Sequence, residues 1–343
     1  MSRFVKLASL VVVTIVSIVA AGGAGYLITG GLNATANLSA GSNIGFVGGA
    51  GVVVTGGINA SVNAATGVNI AVALGAGYVV TSLGAGPVGG AIVNVGGETN
   101  AGGAGILATS AAGFANVSTA STSQINAGGA GIIATGGFST TVSQGGPINA
   151  AGAGIIASVI GIPSVPISKV SVFVGGQILA VGDGVIVNSV FGDASVRVNS
   201  SISASAGNGV LFNAASGGTV SAVVNAKIQA ATNAINVNAV GSASDVSLVL
   251  QNAGSLQGDS DAIFVNTQGK VTLDQDATIK STGGNAINVT NATDVSFLLK
   301  AALNGAVNGV IVNGSGNISI NQDNLGPITA GQDGITAGST GGR

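Results

Sequence analysis

A ten-residue unit, "GGAGIIATGG" at residues 128–137, returns along almost the whole chain, and a chain that repeats itself must fold by repeating one structural unit. Close copies are "GGAGYLITGG" from Gly22, "GGAGVVVTGG" from Gly48 and "GGAGILATS" from Gly102. Looser copies are "AGAGIIAS" from Ala151, "VGDGVIVN" from Val181, "AGNGVLFN" from Ala206, "GGNAINVT" from Gly283 and "VNGVIVN" from Val307. The first apolar residue of each unit serves as an anchor. There are thirteen: Tyr26, Val52, Tyr78, Ile106, Ile132, Ile155, Val185, Val210, Ile235, Ile263, Ile287, Val310 and Ile335, spaced 23 to 30 residues apart. Helical repeats are excluded by 60 glycines, 6% charge and abundant Val, Ile, Thr and Asn. A β-solenoid remains.

The residues around the anchor read as strand geometry. The position two after it is apolar in all thirteen coils, so it shares the inward face of a strand with the anchor. Three after the anchor stands a polar row: Thr29, Thr55, Thr81, Thr109, Thr135, Ser158, Asn188, Asn213, Asn238, Asn266, Thr290 and Asn313, broken only by Gly338. Stacked at the strand spacing of about 4.8 Å, such a row is expected to form a structural ladder along the axis. Gly precedes ten anchors and Ala the other three, which predicts a tight corner.

Two more strands complete the coil. Seven or eight residues before the anchor comes an Ile or Leu, usually as "IxA": Ile125, Ile148, Ile178, Ile202, Ile228, Leu256, Ile279, Leu303 and Ile328. Earlier still comes a "VS"-like strand at Val142, Val170, Val196, Val220, Val246, Val271, Val295 and Ile318. The expected fold is all-β, a right-handed three-sided parallel β-helix of about 13 coils of roughly 25 residues, and a rod about 60 Å long.

Three stretches divide the chain. Residues 1–22 read as a secretory signal, with Arg3 and Lys6 before an uncharged, mostly apolar run from Leu7 to Ala21; residues 11–26 equally fit the coil template as a first coil. The run is too short for a confident transmembrane helix, so no stable transmembrane span is expected in the mature chain. Residues 23–168 are charge-poor GGAG-type coils in which Glu98 is the sole charge; residues 169–343 are Asp/Asn-type coils of the same solenoid. At that boundary the position two before the anchor changes from Ala to Asp or Asn. Pro163 and Pro166 mark a loop excursion, and residues 84–95 hold a half-coil, "VGGAIVNVGG", that the template does not place.

Composition narrows the chemistry. With no His and no Cys, Ser-His-Asp and Cys-His catalysis, thiol chemistry and disulfides are excluded. Net charge of −2 and 3% aromatics give no nucleic-acid footprint. No cofactor, metal or catalytic residue is expected. The nearest candidates are Asp259 and Asp261, with Asp274 and Asp276, a group able in principle to hold calcium or cleave a polysaccharide. Asp261, however, occupies a corner position that Asn233 and Asn285 fill in the neighbouring coils, where a turn-forming role is the ordinary one. The clearer functional feature is a possible contact stripe one residue after the anchor, where the side chain points outward yet is large and apolar: Leu107, Ile133, Ile156, Ile186, Leu211, Phe264 and Ile311, with Leu27, Val53 and Val79 before them. A covering segment explains such a stripe, and so does a surface for self-association.

The alternation in "VSQGGPINAAGAGIIAS" from Val142 and "ISINQDNLGPITAGQDGITAGSTGG" from Ile318 resembles the passenger repeats of autotransporter adhesins, especially the Gly/Ala/Thr-rich, alphaproteobacterial type. The resemblance implies a right-handed β-helix at the bacterial cell surface or outside the cell, non-enzymatic, serving adhesion or as a stalk and meeting a host or cell-surface ligand. It departs from that family in having no translocator-barrel pattern up to Arg343. The alternatives are a self-assembling filament or fibre subunit, associating laterally or end to end, and a polysaccharide-cleaving β-helix enzyme.

Overall fold

A computed structural model describes residues 17–20, 24–84, 89–161, 168–239, 244–251, 254–323 and 326–341. Among these residues there are strands and turns and no helix. Three parallel sheets of 13, 13 and 12 strands run the length of the molecule, and successive strands visit the first, second and third sheet in turn. The chain is a three-sided parallel β-helix. Its coils are joined edge to edge, each strand paired with the strand one coil away and in register with it except where Ile287–Ala292 meets Val310–Gly314.

All thirteen anchors stack in one row of the second sheet, from Tyr26↔Val52 to Val310↔Ile335. Those from Val52 to Val310 are fully buried, as are their neighbours two residues on. The "IxA" isoleucines stack in the first sheet, Ile125↔Ile148↔Ile178↔Ile202↔Ile228, also inside. Each fully buried Ile or Val contributes roughly 1.5–3 kcal/mol, which makes this bore of aliphatic rows the main driving force for coiling.

Three sequence expectations need correction. Within the stretch at 84–95, Gly90–Val95 is an ordinary strand of the third sheet and not part of a half-coil, paired with Asn59–Ala64 and Phe114–Thr119; residues 85–88 lie outside the described residues. Its coil looked incomplete because Thr99 replaces the usual Ile in the first sheet, between Ile70 and Ile125. Thr99 sits in the bore near Tyr78, whose hydroxyl is pushed by burial well above the ordinary tyrosine range. The Thr99 hydroxyl opposes that shift in part, although neither oxygen reaches a partner in good hydrogen-bonding geometry. Second, Val142 and Val196 lie in a different inward row from Val170, Val220, Val246, Val271, Val295 and Ile318, because Val170 pairs with Thr140 and Ala194. The slip is two residues, which keeps every side chain on its proper face. Third, the polar row of the second sheet is broken between Thr290 and Asn313 by a register shift, where Asn291 takes a positive φ of 62°.

At the start, residues 17–20 form the first strand of the first sheet, with Ile18 on Ile44, as the coil template expects. The remainder of the signal-like segment and the loop with Pro163 and Pro166 fall outside the described residues.

Along the middle of the rod the glycine before the anchor is required by close approach and not by its dihedrals. A Cβ on Gly131 would lie within 2.4 Å of Ile148 Cγ2 and 2.6 Å of the Gly154 carbonyl in the next coil. The same pair of obstacles recurs at Gly105, Gly154, Gly184 and Gly209. Where Ala stands instead, at Ala234 and Ala286, the first-sheet residue of the next coil is Leu256 or Leu303, which has no β-branch; Ala262, below Ile279, is the exception. Gly131→Ala is therefore expected to destabilise the array by about 1–3 kcal/mol. Adding Ile148→Leu should restore part of that loss, read as a shift in the urea-unfolding midpoint.

Candidate interaction surface

Outside the bore, the surface is made of rows running parallel to the axis. The polar row of the second sheet faces outward in register, Thr29↔Thr55↔Thr81↔Thr109↔Thr135↔Ser158↔Asn188↔Asn213↔Asn238↔Asn266↔Thr290. Within it Asn188 Nδ2 donates to Ser158 Oγ (3.0 Å) and Asn213 Nδ2 to Asn188 Oδ1 (2.9 Å). At the shift, Asn291 and not Thr290 supplies the amide that donates to Asn266 Oδ1 (2.8 Å). Sequence reasoning found this row and missed others on the remaining sides. Asn149 donates to Asn126 (2.8 Å) and Asn126 to Asn100 (2.7 Å) on the first sheet; Asn94 donates to Asn63 (2.8 Å) and Asn63 to Asn37 (2.9 Å) on the third. Their signal was a recurring Asn at the coil period in strands whose anchor had not been assigned.

A further ladder explains why Ala gives way to Asp and Asn two positions before the anchor. In both halves the backbone at this corner already bonds to the next coil, as where Gly105 N–H donates to the Ala130 carbonyl and Ile106 N–H to that of Gly131 (both 3.0 Å), and Gly309 and Val310 do the same. The later coils add side chains. Asn208 donates its backbone N–H (2.6 Å) and Nδ2 (2.8 Å) to Asp183 Oδ1, and its own Oδ1 accepts Thr232 Oγ1 (2.9 Å) and Asn233 Nδ2 (3.2 Å). A second run climbs from Asp261 through Asn285 to Asn308. A carboxylate only accepts, so Asp stands at the foot of each run and Asn, which donates and accepts, continues it.

This placement decides how the four candidate carboxylates are used. Asp261 accepts Asn285 N–H (2.7 Å) and Asn285 Nδ2 (2.8 Å) on one oxygen and Asn288 Nδ2 (2.7 Å) on the other. Asp259 accepts Thr282 Oγ1 (2.8 Å). Asp274 and Asp276 both meet Lys300 Nζ, at 2.6 and 3.1 Å, and these contacts raise the lysine pKa above its ordinary value. Among the described residues no group of three or more acidic side chains could hold a metal ion. The four aspartates thus divide between a corner ladder and a surface ion pair.

The apolar stripe lies where outward-facing residues should. Val53, Val79, Leu107, Ile133, Ile156, Ile186 and Leu211 follow one another in register, each half-buried by its neighbours above and below. At the next coil Asn236 interrupts the ridge; Phe264 and Ile311 continue it only in alternation with Asn288. Around the adjoining corner an open groove of about 1100 Å³ runs along the first sheet. Its lining is half Ala and Gly, with Asn100, Asn126, Asn149, Leu179 and Val181.

The corner ladder can be tested alone. Asn208→Ala removes the donor to Asp183 and the acceptor for the coil above, and is expected to cost about 1–3 kcal/mol. Ala130→Gly, in a corner without a side-chain ladder, should change stability by less than half as much in the same unfolding experiment.

Comparison of the chain with protein-family models, with curated proteins and with solved structures gave no match, so its function has to be argued from these surfaces.

Proposed function

We propose that this β-helix is a non-enzymatic, adhesin- or stalk-like protein of the cell surface or extracellular space that works by contact along its outer faces. The observation that carries this reading is the charge-poor half itself. Between Lys6 and Lys169 the only charge is Glu98, and the outer faces carry long uncharged rows of Thr, Asn, Ala and apolar side chains. A surface of that kind recognises partners by shape and hydrogen bonding, with little electrostatic steering. The engagement of Asp259, Asp261, Asp274 and Asp276 in structural contacts supports the same reading over polysaccharide cleavage. So does the likeness of the coil pattern to autotransporter passengers.

A filament is the second reading, favoured by the outward apolar ridge from Val53 to Leu211, a face suited to self-association.

The test is binding of the full chain, immobilised at low density, to intact cells and to matrix glycoproteins, with antibody labelling of intact producing cells for location. Saturable binding that changes little between about 50 and 500 mM salt is expected, because few charges are available to be screened. Binding no greater than that of an unrelated β-solenoid would sink the proposal. Release of sugar ends from a polysaccharide, lost in Asp259→Asn or Asp274→Asn, would replace it with the enzymatic reading.

A further inference from the structure

The groove lies wholly within the coils that carry the ridge, and the two end together. The ridge runs over eight coils from Leu27 to Leu211 and ends at Asn236. The groove runs from the coil of Gly45 and Val47 to that of Ser203 and Ser205, and ends where the same outward row takes up the longer Gln229, Gln257 and Lys280. One is a row of large apolar side chains, the other a trough half lined by Ala and Gly, with Asn100, Asn126, Asn149 and Leu179 along its strand row. Each repeats at the strand spacing of about 4.8 Å set by the backbone. Nothing in the coil requires two features on different sides to stop together.

We infer that the groove receives the ridge of a second copy of this chain lying alongside, so that the molecules associate laterally through their charge-poor halves. The spacing argues for a second copy over an unrelated partner. Two identical solenoids have the same rise per coil, so once one ridge residue sits between two groove positions the others fall into place. A globular surface without that period matches at one or two points only. Electrostatics agree, since the one charged side chain along either surface is Glu98, whose carboxylate accepts Asn100 Nδ2 (2.8 Å) at the side of the groove. Over about 30 Å of axis and a strand face about 16 Å wide, roughly 500 Å² is covered on each partner. The total of about 1,000 Å² lies at the lower limit for a specific interface, which makes the association concentration-dependent. Because ridge meets groove, each copy keeps an unused ridge or groove, and the contact grows into rows of molecules and does not stop at a pair. The inference rests on the reading that the outer faces act by contact, but it concerns like molecules. The cell-binding assay on sparsely immobilised chains does not depend on it.

The experiment is sedimentation velocity of the full chain across a wide concentration range, with negative-stain imaging of the same samples. Two variants are compared. The ridge variant carries Ile133→Asn, Ile156→Asn and Ile186→Asn, changes that the fold accepts at Asn236 and Asn288 in the same row. The groove variant carries Ala73→Lys and Ala151→Lys, both at exposed corner positions. The wild-type chain should form side-by-side rows, and each variant alone should associate at least about 100-fold more weakly. Mixed one to one, the groove variant's intact ridge should fill the ridge variant's intact groove, giving pairs that grow no further. A wild-type chain that stays an elongated monomer up to about 200 μM overturns the inference. So do rows that survive either set of substitutions, end-to-end rods in place of side-by-side rows, or a mixture that fails to pair.

Discussion

Everything in this molecule depends on how closely one coil's backbone can approach the next. The strands set the spacing, but the corner before the anchor is where it is most demanding. There the N–H groups of two successive residues donate to carbonyls one coil up, and the glycine Cα comes so near the next coil's backbone and first-sheet side chain that a methyl group does not fit. Where glycine stands at this corner, the crowding comes from the β-branched residue and the carbonyl above it. The pairing of Ala234 with Leu256 and Ala286 with Leu303 relieves the side-chain part of that crowding, whereas Ala262 stands below the β-branched Ile279.

With that approach secured, the inside and outside of the coil meet different demands. Inside, successive rows of Ile, Val and Ala fill a narrow bore, and residues that depart from the pattern do so in company, as Thr99 does beside Tyr78. Outside, the side chains have only their counterparts above and below to satisfy them. The charge-poor half answers with aliphatic rows and amide rows, while the later half adds Asp-founded ladders and ion pairs such as Lys300 with Asp274 and Asp276. The two halves are therefore one solenoid with two surface chemistries.

Much of this was readable from the chain. The thirteen anchors and the "IxA" positions were identified because they are inward, apolar and adjacent to a glycine corner, three constraints on one short motif. The third strand was harder, since two inward positions per strand both accept Val, so Val142 and Val196 could be aligned one inward row away without violating any pattern. The strand Gly90–Val95 was obscured by a single Thr where Ile was expected. The groove was not legible at all. It arises from small outward residues on one strand and on the corner after it, and smallness at an outward position carries no signal until the neighbouring ridge of large residues is seen at the same height.

The acceptor-only aspartates at the foot of the corner ladders carry a consequence for the whole rod. Because Asp183 and Asp261 cannot donate, the asparagines above them must direct their N–H groups toward the amino-terminal coils. The amide rows on all three sheets are oriented the same way, from Asn63 to Asn37, from Asn126 to Asn100 and from Asn213 to Asn188. Their dipoles add along the axis, as peptide dipoles do along a helix. The molecule accordingly has an electrical polarity that does not come from its net charge: amide hydrogens look toward one end and amide oxygens toward the other. A coil laid on it upside down would set like poles of every row against each other.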